Sequence, residues 1–169
     1  NHMDWDDGRG IKFQVTIGKA DMTVTAEDQT ITYGEAISAD AFTADDLVDG
    51  HTMTVKLTPS TTNVTVSGTI TASAAVISAD DVDVTGNYNV SYTSGKLGIK
   101  PDTSKIDALT TDNVTSANGE DIKAVQEMLE NADSLTEEWE AIGENCETLL
   151  DKIEAVEAEN DRIADAISG

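Results

Sequence analysis

Few residues of this chain could act as catalytic groups. Of its two histidines, His2 lies in an Asn-His-Met start typical of a tag remnant, and His51 directly follows the Asp49-Gly50 turn pair. A lone histidine at a turn is usually a surface residue. A serine nucleophile would need an elbow of the Gly-x-Ser-x-Gly type, which the sequence lacks. We therefore predict that the chain is not an enzyme and has no catalytic residues.

Cys146 is the single cysteine, so no intrachain disulfide can form. A reactive thiol needs a nearby cation that lowers its pKa. No lysine or arginine lies within one helical turn of Cys146, and its neighbours at helical spacing are apolar. We therefore interpret Cys146 as a small buried packing residue.

The best candidates for ion ligands are carboxylates in two short segments. Asp80, Asp81 and Asp83 share one predicted loop, and a second acidic group lies at 45–49. Calcium takes six to eight oxygen ligands, usually from a loop with the Asp-x-Asp-x-Asp/Asn-Gly pattern. Because that pattern is absent, Asp80, Asp81 and Asp83 are weak calcium candidates, and solvated loops are the preferred interpretation. We expect no metal and no cofactor.

The charge is strongly and unevenly negative. The chain has 33 acidic and 10 basic residues and a net charge of -23. Nucleic acids and anionic lipids need lysine and arginine to displace their counterions, so neither is an expected partner. No apolar run is long enough to cross a bilayer. The net charge is -8 over 1–100 and -15 over 101–169, which suggests a domain boundary near residue 100.

The first hundred residues have the alternating pattern of β-strands. At 11–17 every second residue is apolar, which predicts a half-buried strand. The predicted strands are 11–17, 22–26, 29–33, 52–57, one or two within 63–77, 87–92 and 96–100. We expect the last two to form a hairpin through Thr93-Ser94-Gly95. The segment 36–48 allows a short helix or an irregular crossover, and strand pairing in 58–80 stays open.

After Pro101 the apolar spacing becomes helical. A short helical turn is expected at 106–109 and an amphipathic helix at 120–132. Thr136 and the acids after it predict the start of a longer helix, which Gly143 could interrupt. Its apolar positions alternate three and four apart, as in a heptad seam. They are Trp139, Ile142, Cys146, Leu149, Ile153, Val156, Ile163 and Ile167, and the polar Asn160 takes the position between Val156 and Ile163.

This seam is longer than the helix that precedes it. The residues from Asn160 onwards therefore lack an obvious partner within the chain. We expect the seam to pair with another chain or with a following module, and Asn160 would then help to fix the register. The candidate pairing residues are Trp139, Ile142, Ile153, Val156, Asn160, Ile163 and Ile167.

These patterns predict an α+β chain of two domains. The start at 1–9 is interpreted as a tag remnant with a flexible segment. A small, mainly antiparallel β domain follows at 10–100, with a linker at 101–104. An α-helical bundle at 105–169 completes the chain.

The β region resembles the MBG type of bacterial surface domain, also described as immunoglobulin-like or mirror-β-grasp. The resemblance rests on ordered motifs spread over about 19–100. They are Lys19-Ala20, Thr23-Val24-Thr25-Ala26, Asp28, Tyr33-Gly34, Leu47-Val48-Asp49-Gly50, Asn87-Tyr88-Asn89-Val90-Ser91-Tyr92 and Gly95-Lys96-Leu97-Gly98-Ile99. Residues 10–18 resemble the closing strand of a preceding unit, which implies a tandem array.

The helical region is similar to three-helix modules of large Firmicutes surface proteins. The similarity rests on Ile106-Asp107-Ala108-Leu109, Val114-Thr115 and Leu135-Thr136-Glu137-Glu138. Together the two resemblances imply a bacterial cell-surface location and a structural or adhesive role as a spacer. The expected partners are neighbouring domains of the same protein. An alternative function is a module that binds a glycan or a protein, and its partner would be a host protein or glycan. A further alternative is an accessory domain of a secreted carbohydrate enzyme.

Overall fold

The computed structural model describes residues 18–168, which fold into a strand-rich region followed by a helical region. The tag remnant and the strand predicted at 11–17 lie outside these residues. The strands are β1 (Ala20–Ala26), β2 (Gln29–Thr32), β3 (Phe42–Asp45), β4 (His51–Pro59), β5 (Thr65–Ala79), β6 (Val82–Asp83), β7 (Tyr88–Thr93) and β8 (Gly95–Lys100). The α-helices are α1 (Gly119–Glu130) and α2 (Glu137–Ser168). A mixed α+β chain with its strands first is therefore confirmed.

Two sheets enclose the first core. One has the strand order β3-β1-β7, and the other has the order β2-β8-β5-β4 with β6 paired to β5. The pairs β1–β7 and β2–β8 are parallel, whereas β1–β3, β4–β5, β5–β6 and β5–β8 are antiparallel. The β region is thus mainly antiparallel, with two parallel pairs that join strands distant in sequence.

Residues 36–48 do not form the short helix that the sequence allowed. They contain β3, which pairs antiparallel with β1 and places Phe42 opposite Ala26. Phe42 packs against the core, and the backbone of its strand pairs with β1, whereas a single helical turn is unfavourable to nucleate. Asp46 then reverses the chain with a φ of 66°.

The prediction that 87–92 and 96–100 form a hairpin is also wrong. β7 pairs with β1 in one sheet, whereas β8 lies between β2 and β5 in the other. The chain therefore crosses between sheets at Ser94. Gly95 makes this possible, because a Cβ there would lie 2.5 Å from the backbone oxygen of Ala26.

The segment 63–77 contains one long strand rather than two. β5 runs from Thr65 to Ala79 and pairs with both β4 and β8. Register shifts occur on its two sides, between Thr65 and Gly68 against β8 and between Thr54 and Lys56 of β4. Such irregularities bend a long strand, so β5 can follow both neighbours.

The β core is built mainly from aliphatic and small side chains. Its fully buried members include Val24, Ile70, Ile77 and Leu97, and Tyr88 is its buried aromatic residue. In β1 the buried residues are every second one, as alternation across a sheet requires.

The helical region has a separate core. Ile122, Val125 and Leu129 of α1 face Cys146, Leu149 and Ile153 of α2. Thr136 caps α2, since its Oγ1 accepts the Trp139 N–H at 3.1 Å. Gly143 does not break the helix, which continues to Ser168.

A three-helix bundle is not confirmed. Residues 18–168 contain two α-helices. The segment 106–109, where the sequence predicts a short helical turn, forms hydrogen-bonded turns, with the Asp107 N–H bonded to the Thr103 carbonyl, and adds no third helix. A 3-10 turn at Ser116–Asn118 leads into α1, with the Thr115 and Asn118 side chains forming a capping box. In the described range of the chain, no helix has the length and apolar character needed to cross a membrane.

Candidate functional site: the junction between sheets and helices

His51 serves as a structural partner of the β core. Its Nδ1 lies 2.7 Å from the hydroxyl of the buried Tyr88, and the two rings meet edge to face. The Tyr88 oxygen also accepts the Val48 N–H at 3.2 Å. These contacts hold the 46–50 turn against the sheet, so His51 has a structural role.

The three weak calcium candidates are used in a turn. Asp80 and Asp81 have φ values of 49° and 65° and form the tight connection between β5 and β6. The Asp83 carboxylate accepts hydrogen bonds from the Thr85 hydroxyl and N–H, which lower the pKa of Asp83. Residues 18–168 hold no group of three or more histidine, cysteine or acidic side chains that could bind a metal.

Cys146 lies in the helical core and is fully buried. Burial raises the pKa of its thiol. A raised pKa keeps the thiol protonated at neutral pH, which is the opposite of what a nucleophile needs. The environment of Cys146 is therefore that of a packing residue.

The three tyrosines do not form a common binding face. Tyr88 is in the core, and the Tyr92 hydroxyl accepts the Ala75 N–H at 3.0 Å. Tyr33 follows β2 of the other sheet and lines a cavity of about 480 Å³ with Ile31, Ile37, Pro59 and Ile99. An aromatic platform for a glycan is thus not assembled from these residues.

The turn after β2 closes the free edge of that strand. Gly34 has a φ of 91°, which lets the Glu35 carboxylate return and accept the Thr32 N–H at 2.9 Å. Farther along, the Gln29 amide donates to the Ser38 carbonyl at 3.2 Å and accepts its N–H at 2.7 Å. Side chains therefore occupy an edge that could otherwise pair with another strand.

The predicted pairing seam divides into two segments. Trp139 and Ile142 are half-buried against the helical core, and Ile153 is buried in it. These three therefore pack within the chain. Val156, Asn160, Ile163 and Ile167 are exposed.

A feature that the sequence did not reveal is the junction, which we define as Asn63–Ser67 of the β region and Asp133–Ser134 between α1 and α2. The Asp133 N–H donates to the Val64 carbonyl at 2.9 Å. The Ser134 Oγ accepts the Val66 N–H at 2.9 Å and lies 3.0 Å from the Thr65 hydroxyl and 3.3 Å from that of Ser67. One short loop is thus bonded to the beginning of β5 at several points.

Burial and charge add to this hydrogen bonding. Val64 and Thr65 are almost completely buried, although neither belongs to the two hydrophobic clusters. The Asp133 carboxylate faces the hydroxyl of Thr61 and the amide of Asn63, whose Nδ2 lies 3.0 Å from Oδ1. Both groups lower the pKa of Asp133, so the junction favours the ionised carboxylate.

The second connection between the sheets and the helices is covalent. Pro101 follows β8 directly and is buried, and the Asp102 N–H points at the Met128 sulfur of α1, 3.2 Å away. The predicted linker at 101–104 is therefore in contact with α1. The helical region is thus attached to the sheets at both this linker and the junction.

Comparison with known protein families supports the resemblance predicted for the β region. Residues 22–98 match the family model of the MBG domain (YGX type). This confirms the predicted MBG resemblance for that region and supports a structural domain of a bacterial surface protein. Tyr33-Gly34-Glu35 supplies a Tyr-Gly-X sequence at the turn that closes β2. No family match supports the three-helix resemblance, and neither a curated protein nor a solved structure matches the chain.

Proposed function

We propose that this chain is a non-catalytic spacer module of a bacterial cell-surface protein, which holds neighbouring domains at a fixed distance and angle. The observation that carries the proposal is the junction. Flexibly joined domains make few specific contacts across their linkers. Here Asp133 and Ser134 bond to the backbone at Val64 and Val66, so these bonds fix the position of the helical region against the sheets.

The chemistry of the side chains supports a mechanical role. The single described histidine is bonded to a core tyrosine, and the single cysteine is buried at a raised pKa. The net charge of -23 keeps an exposed module soluble and discourages nonspecific association. Neighbouring domains of the same protein are the partners that such a module would have.

Stiffness at the junction can be measured with two spin labels. Thr71 of β5 and Glu147 of α2 are exposed, and one label on each reports the distance between the sheets and the helices. We expect a single narrow distance distribution for the native sequence. Replacing both Asp133 and Ser134 by Ala should broaden it, because the loop then loses its side-chain bonds.

Two results would contradict the spacer proposal. One is a broad distribution in the native sequence, and the other is a narrow one that the double substitution leaves unchanged. The matched control is Ser91→Ala, which alters an exposed residue of β7, in the sheet that does not contain β5. That variant should keep the native distribution.

A further inference from the structure

The end of α2 carries an apolar stripe that the other described residues do not cover. We call the segment from Glu154 to Ser168 the tail. Every tail residue is exposed, and Ile153 is the last buried residue of the helix. At 1.5 Å per residue, the tail is about 22 Å long. The exposed fractions of Val156, Ile163 and Ile167 are 40%, 47% and 80%.

The stripe continues the heptad spacing of the buried seam. Ile153, Asn160 and Ile167 take the a positions, and Val156 and Ile163 take the d positions. The e and g positions beside them are acidic early in the tail and alanine later. They are Glu157, Glu159, Ala164 and Ala166. The tail thus presents one narrow apolar side with small residues near its end.

The position of the helical core decides which orientation a second tail could take. α1 covers the same side of α2 as far as Ile153. Two copies paired in parallel would bring both cores to that side at the same level, where they would collide. In an antiparallel pair the two cores lie at opposite ends of the paired segment and do not meet.

We propose that two copies of this chain associate through antiparallel pairing of their tails. Val156 of one copy packs against Ile167 of the other, and Asn160 packs against Ile163. Two-fold symmetry repeats both contacts, so four layers form. All four exposed positions of the stripe, Asn160 included, are used.

The charges of the tail fit this arrangement. In the antiparallel register Glu157 lies opposite Ala164 of the second copy, and Glu159 lies opposite Ala166. No like charges therefore face each other at these positions beside the apolar layers.

The association between two copies of this chain is weak. Four layers bury less than the roughly 1,200 Å² of stable interfaces, which makes the pair transient. A net charge of -23 on each copy also opposes contact at low ionic strength. Added salt screens this repulsion, so the association should strengthen as salt is raised.

Sedimentation equilibrium over a concentration series tests the pairing. We expect a monomer–dimer equilibrium that shifts towards dimer at high salt. Ile163→Asp should lower the association constant at least about tenfold, because each dimer contains two such positions. Ala158→Asp adds the same charge on the opposite side of the tail and should leave the constant nearly unchanged.

Disulfide trapping tests the orientation. Val156→Cys and Ile167→Cys chains should form a mixed covalent dimer when combined under mild oxidation. Val156→Cys alone should not, because its two cysteines would lie about 16 Å apart along an antiparallel pair. The native sequence is the negative control, since its one cysteine, Cys146, is fully buried and should not form a disulfide.

Three outcomes would overturn the proposal. The first is a monomer at all concentrations and salt levels. The second is equal loss of association with Ile163→Asp and Ala158→Asp, which would show that charge alone acts. The third is self-linking of Val156→Cys at the rate of the mixture, which would indicate parallel pairing.

Discussion

The β region and the helical region use their apolar residues differently. In the β region, strands pair with partners from distant positions, and the core joins both sheets into one cluster. In the helical region, a short α1 covers only the first half of a long α2. The β region therefore buries its own apolar face, whereas the helical region does so only as far as Ile153. This difference predicts separate responses to mutation.

The strongest test of the comparison is Leu149→Ala in the helical core. Leu149 is fully buried, and such truncations cost about 2–5 kcal/mol because a cavity is left behind. A core of two helices has little stability to lose, so we expect the helical region to unfold while the sheets stay folded. Circular dichroism at the helix minimum and the dispersion of β amide signals in NMR spectra would measure this. Loss of both signals together would show that the two regions are one cooperative unit.

A second test acts on the β region through Gly95. A Cβ at this position would meet the backbone oxygens of Ala26 and Glu27 at 2.5 and 2.6 Å. Gly95→Ala must move the crossing between sheets, at a cost of about 1–3 kcal/mol typical of overpacking. Thermal unfolding of the β region should shift down accordingly.

Gly86→Ala is the matched control for that test, since nothing lies within 4 Å of its added Cβ. An equal loss of stability in the two variants would contradict the steric explanation. It would point instead to a general effect of alanine in the β region.

How far the fold follows from sequence also differs between the two regions. The β-type composition of 22–26 predicted β1, because this signal depends only on neighbouring residues. The cap at Thr136 was equally local, and the structure confirms it. Local patterns fail where a partner is distant. Phe42 joins β3 only because β1 lies beside it, and β7 and β8 separate because Gly95 fits against Ala26.

The junction was not predictable for the same reason. In the sequence, Asp133 and Ser134 are ordinary loop residues between two helices. Their role depends on Asn63 and Val66, which lie 70 and 68 positions earlier and become neighbours only after both regions have folded. By contrast, the unpaired stripe of the tail was visible in the sequence, because it is a mismatch between the lengths of two neighbouring helices.

A third test connects the two regions. Ser134→Ala removes the acceptor of the Val66 N–H and the hydroxyl contacts to Thr65 and Ser67. We expect a loss of about 1 kcal/mol, the usual contribution of such a hydrogen bond. Helical and β signals followed during thermal unfolding should also separate more widely than in the native chain. Coincident, unshifted transitions would show that the junction does not couple the two regions.

A fourth test uses pH at the same place. The pKa of Asp133 is lowered in the folded state by Thr61 and Asn63. The stabilisation by the ionised Asp133 carboxylate is therefore fully present above its pKa in the unfolded chain, about 3.9. It is lost as the pH falls through the lower pKa of the folded state. The distance between the sheets and the helices, reported by the spin labels, should become more variable below about pH 4. Asp133→Asn should remove that pH dependence, whereas Asp112→Asn, which alters another exposed carboxylate, should keep it.

The smallest effect is expected from a comparison of two positions within α2. Ile153 and Ile167 occupy equivalent heptad positions, but the first is buried and the second is 80% exposed. Ile167→Ser should change the free energy of unfolding of dilute monomer by less than about 0.5 kcal/mol, as is usual at exposed sites. Ile153→Ser should cost several times more, because it places a hydroxyl in the helical core. Chemical unfolding of both variants at low concentration measures the ratio. A comparable loss for Ile167→Ser would mean that the tail is covered within the single chain, and the boundary at Ile153 would then be wrong.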